Sequence, residues 1–125
     1  MILGIGIDQC EVGRMHRQLE TDADGFVSAV FLPAEISYCT AKRHPAEHFA
    51  ARFAAKEAAV KSLAAAMGQG TFWHDLEVSH EAGGRPILTL SGRLRELADG
   101  LGVRSMHVSL THTAEIAAAV VIAEG

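Results

Sequence analysis

The chain opens on a short apolar run, Ile2 to Ile7, rich in isoleucine, and Asp8 ends it. A continuous run of this length predicts a buried strand with the Asp8 carboxylate at its terminus. From Glu11 to Glu20 the apolar period lengthens: Val12, Met15 and Leu19 fall at helical spacing and predict a short amphipathic helix. Pro33 opens a second short helix with Glu35 in its first turn, where a negative charge suits the helix dipole. Pro45 opens a third, long and Ala-rich, which keeps helical composition to about Met67 before Gly68 and Gly70 stop it. The period then shortens to two. Leu76 and Val78 alternate with polar residues, Gly83 and Gly84 supply a turn, and Pro86 to Leu90 returns as the second arm of a β-hairpin. Ser91 to Asp99 is helical, with Leu94 and Leu97 inward, Ser91 as a cap and Gly100 as a stop. Met106 to Leu110 and Ala117 to Ala123 predict two further strands, joined through Thr111 to Glu115. The order β-α-α-α-β-β-α-β-β, with hairpins between the late strands, predicts a single α+β domain over residues 1–125. Its long central helix packs on a small, mostly antiparallel sheet.

Composition narrows the class without naming a function. A chain of 125 residues fits one domain and buries enough surface for a core of its own. No apolar run approaches the roughly 20 residues that span a bilayer. The opening run is too short for a signal-peptide core and has no basic segment before it. The expectation is therefore a soluble, cytosolic protein with no membrane partner. Cys10 and Cys39 lack the spacing of a metal or redox pair and are expected to be reduced packing residues. A net charge of −4 argues against nucleic acid as a partner. It also means that an acidic partner must be met by a local basic patch.

The chemistry lies in the segment Arg52-Phe-Ala-Ala-Lys-Glu-Ala-Ala-Val-Lys61. On a helix of 3.6 residues per turn, Phe49, Phe53, Glu57 and Lys61 follow one another at i, i+4, and Val60 lies on the same side. Glu57 thus sits at the margin of an apolar stripe, where an ionised carboxylate needs a cation. Lys61 is one candidate and a metal ion another; a plain exposed Glu–Lys pair is the simpler alternative. Asp8 adds a second carboxylate. It could cap the helix that starts at Glu11, or it could ligate Mg²⁺, which prefers one or two protein carboxylates together with phosphate oxygens and water.

Four segments, in order along the chain, together resemble the holo-acyl-carrier-protein synthases. They are Gly4-Ile-Gly-Ile-Asp8 with Glu11 beyond it; Arg52-Phe-Ala-Ala-Lys-Glu-Ala58 followed by Lys61; Gly84-Arg-Pro86; and His107-Val-Ser-Leu-Thr-His112 before an Ala/Val/Ile strand. The resemblance covers nearly the whole chain, and the long-helix signature is its most specific part. It implies the 4'-phosphopantetheinyl transferase fold and a homotrimer with coenzyme A bound in three clefts between subunits. It further implies that Asp8 and Glu57 hold Mg²⁺, or Mn²⁺ in its place, against the coenzyme A diphosphate, with Lys61 on the phosphates. Lys56 would add positive charge, and Arg85, Pro86, Thr111 and His112 would approach the adenine and 3'-phosphate from a neighbouring subunit. The chain departs from the family pattern in three places. Ser62 to Met67 prolongs the helix before Gly68-Gln-Gly70, Gln9 and Cys10 follow Asp8 where apolar residues are usual, and Thr111 replaces a frequent serine.

The implied reaction is phosphoryl transfer, which asks for positioning and charge neutralisation more than for covalent catalysis. A serine of an apo acyl carrier protein attacks the phosphorus that bears pantetheine, and 3',5'-adenosine bisphosphate leaves. Such carriers are acidic. Arg14 and Arg17, three apart on one helix face with His16 beside them, are the candidate docking patch. Other signals lead elsewhere and fail. Gly4-Ile-Gly6 lacks the third glycine of a dinucleotide loop, since position 9 is Gln9. His44 and His48 lack the glutamate of a zinc protease helix, Ser109 and His112 lack a nucleophile elbow, and Trp73 beside His74 reads as packing. A non-catalytic ligand-binding domain and a metal-dependent phosphohydrolase explain the carboxylates but not four segments in order.

Overall fold

A computed structural model describes residues 1–22, 25–63 and 72–125. Strand β1 (Ile2–Glu11) leads directly into helix α1 (Val12–Glu20), followed by α2 (Phe26–Val30), α3 (Pro33–Thr40) and α4 (Pro45–Ser62). A 3-10 turn, Trp73–Asp75, precedes the hairpin β2 (Leu76–His80) and β3 (Pro86–Leu90). Helix α5 (Gly92–Gly100), β4 (Ser105–His112) and β5 (Ile116–Glu124) complete the chain. The sheet is not one but two: a three-stranded antiparallel sheet of order β1-β5-β4, and the separate β2–β3 hairpin. The α+β class, the long central helix and the antiparallel pairing stand as expected.

Helix α4 is the shared wall of both halves of the core. On one side its alanines Ala54, Ala55, Ala58 and Ala59 pack with Leu76, Val78, Leu94 and Val121. On the other, Phe49, Ala50 and Ala51 pack with Val12, Met15, Phe31 and Cys39. Alanine suits a helix enclosed on most sides, because it lets backbones approach closely without leaving voids. The stripe Phe49, Phe53, Glu57, Lys61 is therefore not the buried face of an amphipathic helix. It grades from buried at Phe49 to exposed at Lys61, along the edge of a helix buried nearly all round.

The first strand departs from its expectation in an informative way. It is not buried, and it runs three residues past Asp8. Ile5 and Ile7 are 61% and 69% exposed, while Gly4, Gly6, Asp8 and Cys10 point inward. Period two, not continuous burial, governs this segment. The inward positions are glycine because α4 leaves no room for a side chain. A Cβ at Gly6 would stand 1.9 Å from the Ala58 carbonyl oxygen, and one at Gly4 would stand 1.9 Å from that of Ser62. The spacings match: two strand residues span about 6.6 Å and four helix residues about 6 Å.

Other differences are local. Residues Phe26–Val30 form a helix the apolar pattern does not reveal, entered through Gly25 at φ +74°. Helix α4 closes at Ser62, with Leu63 off the helical backbone at φ −108°, ψ 52°. The expected continuation toward Met67 and the Gly68–Gly70 stop lie outside the described residues. The N-terminus of α5 is capped by Asp75, whose Oδ2 accepts from the Leu94 amide at 3.1 Å, and not by Ser91. Asp8 caps no helix; α1 starts at Val12, whose amide donates to the Glu115 carbonyl at 2.8 Å. Both cysteines are free, as expected.

The glycine seat makes a stability prediction. Gly6→Ala is expected to lower the urea midpoint by the equivalent of about 3 kcal/mol, the upper part of the usual overpacking range. Gly83→Ala, with nothing within 4 Å of the added methyl, is expected to leave the midpoint nearly unchanged.

Candidate active site

Seating α4 on Gly4 and Gly6 decides what surrounds Asp8. Glu57 and Lys61 each precede a seat residue, Ala58 and Ser62, by one position, so both project along the flank of β1. Lys61 Nζ donates to Asp8 Oδ1 at 2.8 Å and to the Ile7 carbonyl at 3.2 Å. The Asp8 carboxylate is largely shielded, whereas the lysine is nearly half exposed. Glu57 lies close enough to Asp8 for the two carboxyl groups to perturb each other.

Two carboxylates in contact cannot both ionise freely. Burial, then the hydrogen bond and negative charge of Asp8, pushes Glu57 up to about 7. Burial also pushes Asp8 upward, but the hydrogen bond from Glu57 and the Lys61 ammonium outweigh it and hold Asp8 below its ordinary range. Lys61 is raised, chiefly by its bond to Asp8. The metal-free pair thus keeps a proton close to neutrality, bound between oxygens that a divalent cation would claim. Among the described residues no group of three or more His, Cys, Asp or Glu could hold a metal. Two acidic oxygen ligands with an open side fit Mg²⁺, and also Mn²⁺, better than zinc. Asp8 and Glu57 are the residues that could hold it.

A cavity of about 430 Å³ opens beside Glu57, between β1, α1, α2 and α4. Phe26 and Phe53 form its apolar wall, and Arg14 and Gln18 its polar rim. Arg14, one of the two candidate docking residues, therefore stands next to the carboxylate pair; Arg17 is exposed one turn further along α1.

The other expected site residues fall elsewhere. Lys56 is tied into the core. Its ammonium is fully buried and meets the Val30 carbonyl at 2.8 Å, the Trp73 carbonyl at 2.8 Å and Glu35 Oε1 at 2.7 Å. All three of its protons are committed, so it has none left for a phosphate. Arg85 lies on the exposed β2–β3 turn, paired with Glu81 at 2.8 Å, and Pro86 opens β3. Thr111 and Gln9 both pair with Ala118, from opposite sides of β5, about 10 Å apart. Thr111 faces the outer side of the sheet and Asp8 the inner. His112 ends β4, with Nδ1 3.3 Å from Glu47 Oε2. Within one chain, then, Arg85, Pro86, Thr111 and His112 do not meet the carboxylates.

His112, against His48, and Pro86, paired with His80, adjoin instead a second cluster that the sequence reading did not assign. Arg52 is only 2% exposed. Its Nη2 is 3.1 Å from His80 Nδ1, and its guanidinium carbon lies 4.1 Å from the Tyr38 ring centroid. Its buried Nε has no hydrogen-bond partner. Lys42 sits 4.4 Å from the same Tyr38 centroid, His80 stacks on that ring at 4.9 Å, and His48 meets His112 at 5.4 Å. Burial, then nearby positive charge, holds His48 and His80 below the usual histidine range. The available signal was spacing. Arg52 and Glu57 are five apart, so they face directions about 140° apart on one helix.

Fold and site together define a class, a small α+β domain with a paired-carboxylate site beside an open cavity. A family model, the 4'-phosphopantetheinyl transferase superfamily, matches residues 4–121. The holo-[acyl-carrier-protein] synthase of Koribacter versatilis is 48% identical over 124 residues, covering 99% of each chain, and that of Syntrophus aciditrophicus is 44% identical, covering 100% of this chain and 98% of its own. The crystal structure of the Helicobacter pylori synthase in complex with coenzyme A superposes with a TM-score of 0.82 at 30% identity, covering 96% of this chain and 99% of that one. The Neisseria meningitidis synthase gives 0.85 at 26% identity over the full length of both. The chain belongs to the holo-[acyl-carrier-protein] synthase family of phosphopantetheinyl transferases.

The carboxylate pair has a pH signature. A group whose affinity for protons is raised by folding stabilises the fold below its unfolded value, near 4.5 for Glu57, and loses that contribution as pH rises through about 7. In EDTA, the melting temperature of the protein is expected to fall between pH 5 and 8 relative to Glu57→Gln, which removes this titration. Parallel pH profiles for the two proteins would contradict the assignment.

Proposed function

We propose that this protein transfers the 4'-phosphopantetheine group of coenzyme A to a serine of an apo acyl carrier protein, with Mg²⁺ assistance and release of 3',5'-adenosine bisphosphate. The observation that carries this reading is the Asp8–Glu57–Lys61 constellation beside an open cavity, in a chain of this family. The serine oxygen forms a bond to the phosphorus bearing pantetheine, and the bond between that phosphorus and the bridging oxygen of the diphosphate breaks. The electron pair of that bridge leaves with adenosine bisphosphate, and the serine proton is released. Asp8 and Glu57 would hold the cation, which when bound supplies charge neutralisation to the diphosphate. Lys61 brings a mobile positive charge from the solvent side. Because proton and cation compete for Glu57, metal affinity is set to rise as pH passes upward through about 7.

The Arg52 cluster suits the adenosine bisphosphate end, since a buried guanidinium with a free N–H and a neighbouring lysine favours an anion. It lies away from Asp8 within one chain, so both ends of one coenzyme A require two chains. That is the arrangement of a homotrimer with sites between subunits, in which Thr111, His112, Arg85 and Pro86 come from the neighbour. The outward face of the three-stranded sheet supports an assembly, because Ile5 and Ile7 stand exposed side by side there. The carrier, itself acidic, docks through Arg14 and Arg17. A cytoplasmic setting belongs to the same reading; no described helix is long and apolar enough to cross a membrane.

The test is mass spectrometry of an apo acyl carrier protein incubated with this protein, coenzyme A and Mg²⁺. A gain of one phosphopantetheine arm, abolished by EDTA, is the expected result. Phosphate release without carrier would point instead to a phosphohydrolase, and no gain with several carriers would sink the transfer. Asp8→Ala and Glu57→Ala are each expected to reduce turnover at least about a thousandfold, the rate equivalent of several kcal/mol of lost charge stabilisation.

Reversing both docking charges, Arg14→Glu with Arg17→Glu, is expected to raise the carrier KM at least about tenfold and to leave coenzyme A affinity within about twofold. An unchanged carrier KM would remove the patch.

A further inference from the structure

The buried pair Lys56–Glu35 ties together several elements of the fold. Glu35 Oε1 accepts from the Leu32 amide at 2.8 Å as well as from Lys56, and its Oε2 accepts from the Val78 amide at 2.8 Å. Lys56 in turn holds the carbonyls of Val30 and Trp73. One ion pair thus joins the end of α2, the start of α3, the 3-10 turn and β2 to the middle of α4, at the residue immediately before Glu57. Neither partner is open to solvent.

What those attachments support is the cavity wall. Helix α2 has only five residues, too few to persist without tertiary contacts. Its last carbonyls are held by basic side chains, Val30 by Lys56 and Ser28 by His74 Nε2 at 2.7 Å. It carries Phe26, whose ring meets Phe53 at 5.8 Å, and Phe53 meets Trp73 at 5.5 Å. Phe26 and Phe53 line the cavity beside Glu57 and Arg14. The backbone of Trp73 and the end of α2 are both fixed by the one ammonium group. An apolar side chain in its place could fill the space but could not bond two carbonyls.

We infer that Lys56 and Glu35 are positioning residues for the transfer: their ion pair sets the aromatic wall against which the carrier's reacting end is held next to Glu57, and neither touches coenzyme A. The inference rests on the transfer reading and adds to it a determinant of carrier use.

The experiment compares the unaltered chain with Lys56→Met in three measurements. They are carrier KM and kcat, coenzyme A affinity by calorimetry in Mg²⁺, and emission of Trp73, the only tryptophan. The variant is expected to raise carrier KM at least tenfold, to keep coenzyme A affinity within twofold, and to shift Trp73 emission to the red. A folded variant with unchanged carrier KM would overturn the inference. So would a tenfold loss of coenzyme A affinity, which would make Lys56 a ligand of the substrate. If Lys56→Met does not fold, the double variant Glu35→Leu with Lys56→Met replaces the pair with apolar groups of similar volume, an exchange that buried pairs often tolerate. Raised carrier KM in that variant supports the inference, and recovery of both stability and carrier KM overturns it. An unaltered chain that transfers nothing would sink the transfer reading and this inference together, whereas normal transfer by the variants would sink the inference alone.

Discussion

Everything at the candidate site follows from how closely α4 lies on β1. Two glycines on the inner face of the strand let the helix carbonyls of Ala58 and Ser62 rest where side chains would otherwise stand. Contacts of this kind, Cα–H against a carbonyl oxygen, are individually weak. Their consequence is geometric: the next inward position along the strand, Asp8, arrives beside Glu57 and Lys61. The Gly-x-Gly-x-Asp order is thus a seat followed by the carboxylate it positions. It has nothing to do with the phosphate loop that a glycine pair suggests, because these glycines meet a helix backbone and not an anion.

Three signatures share one helix by facing three ways. The alanines face the sheet and keep the helix close. Glu57 and Lys61 face the open flank of β1, where solvent, a cation and phosphate can reach them. Arg52 and Lys56 face the opposite side, and both are buried. Their fates differ for a clear reason. Lys56 has three acceptors for three protons and a carboxylate for its charge, so it is satisfied. Arg52 has one nitrogen without a partner, and its guanidinium lies against the Tyr38 ring, which stabilises a cation without using its protons. The first arrangement is that of a structural tie and the second that of a site waiting for an acceptor.

The same geometry argues for more than one copy of the chain. A single domain sends Asp8 inward at one edge strand and Thr111 outward at the other, with β5 between them. It also leaves isoleucines on the outer face of the sheet, where water would ordinarily be met by polar residues. In the proposed trimer one feature answers the other: the apolar face is covered, and the two ends of the substrate are each met by a different subunit.

Much of this was legible in the order of residues. Helical spacing placed Glu57 and Lys61 on one edge, and Asp8 followed an apolar segment that is indeed a strand. The α+β class, the order of the strands and the free cysteines also read correctly. What misled was local. An isoleucine-rich run looks buried, yet period two with glycine at alternate positions turns the isoleucines outward. Lys56, one residue from Glu57 in sequence, looks like a second phosphate contact until the fold brings Glu35, Val30 and Trp73 around it. The short helix at Phe26 has no periodic signal because five residues hold less than two turns. The sequence by itself determined which residues share a face of each element, since that depends only on the repeat of the backbone. Tertiary structure decided which charges became partners. Asp8 and Lys61 are 53 positions apart, and no local period reports a distance that only the packing of a helix on a strand creates.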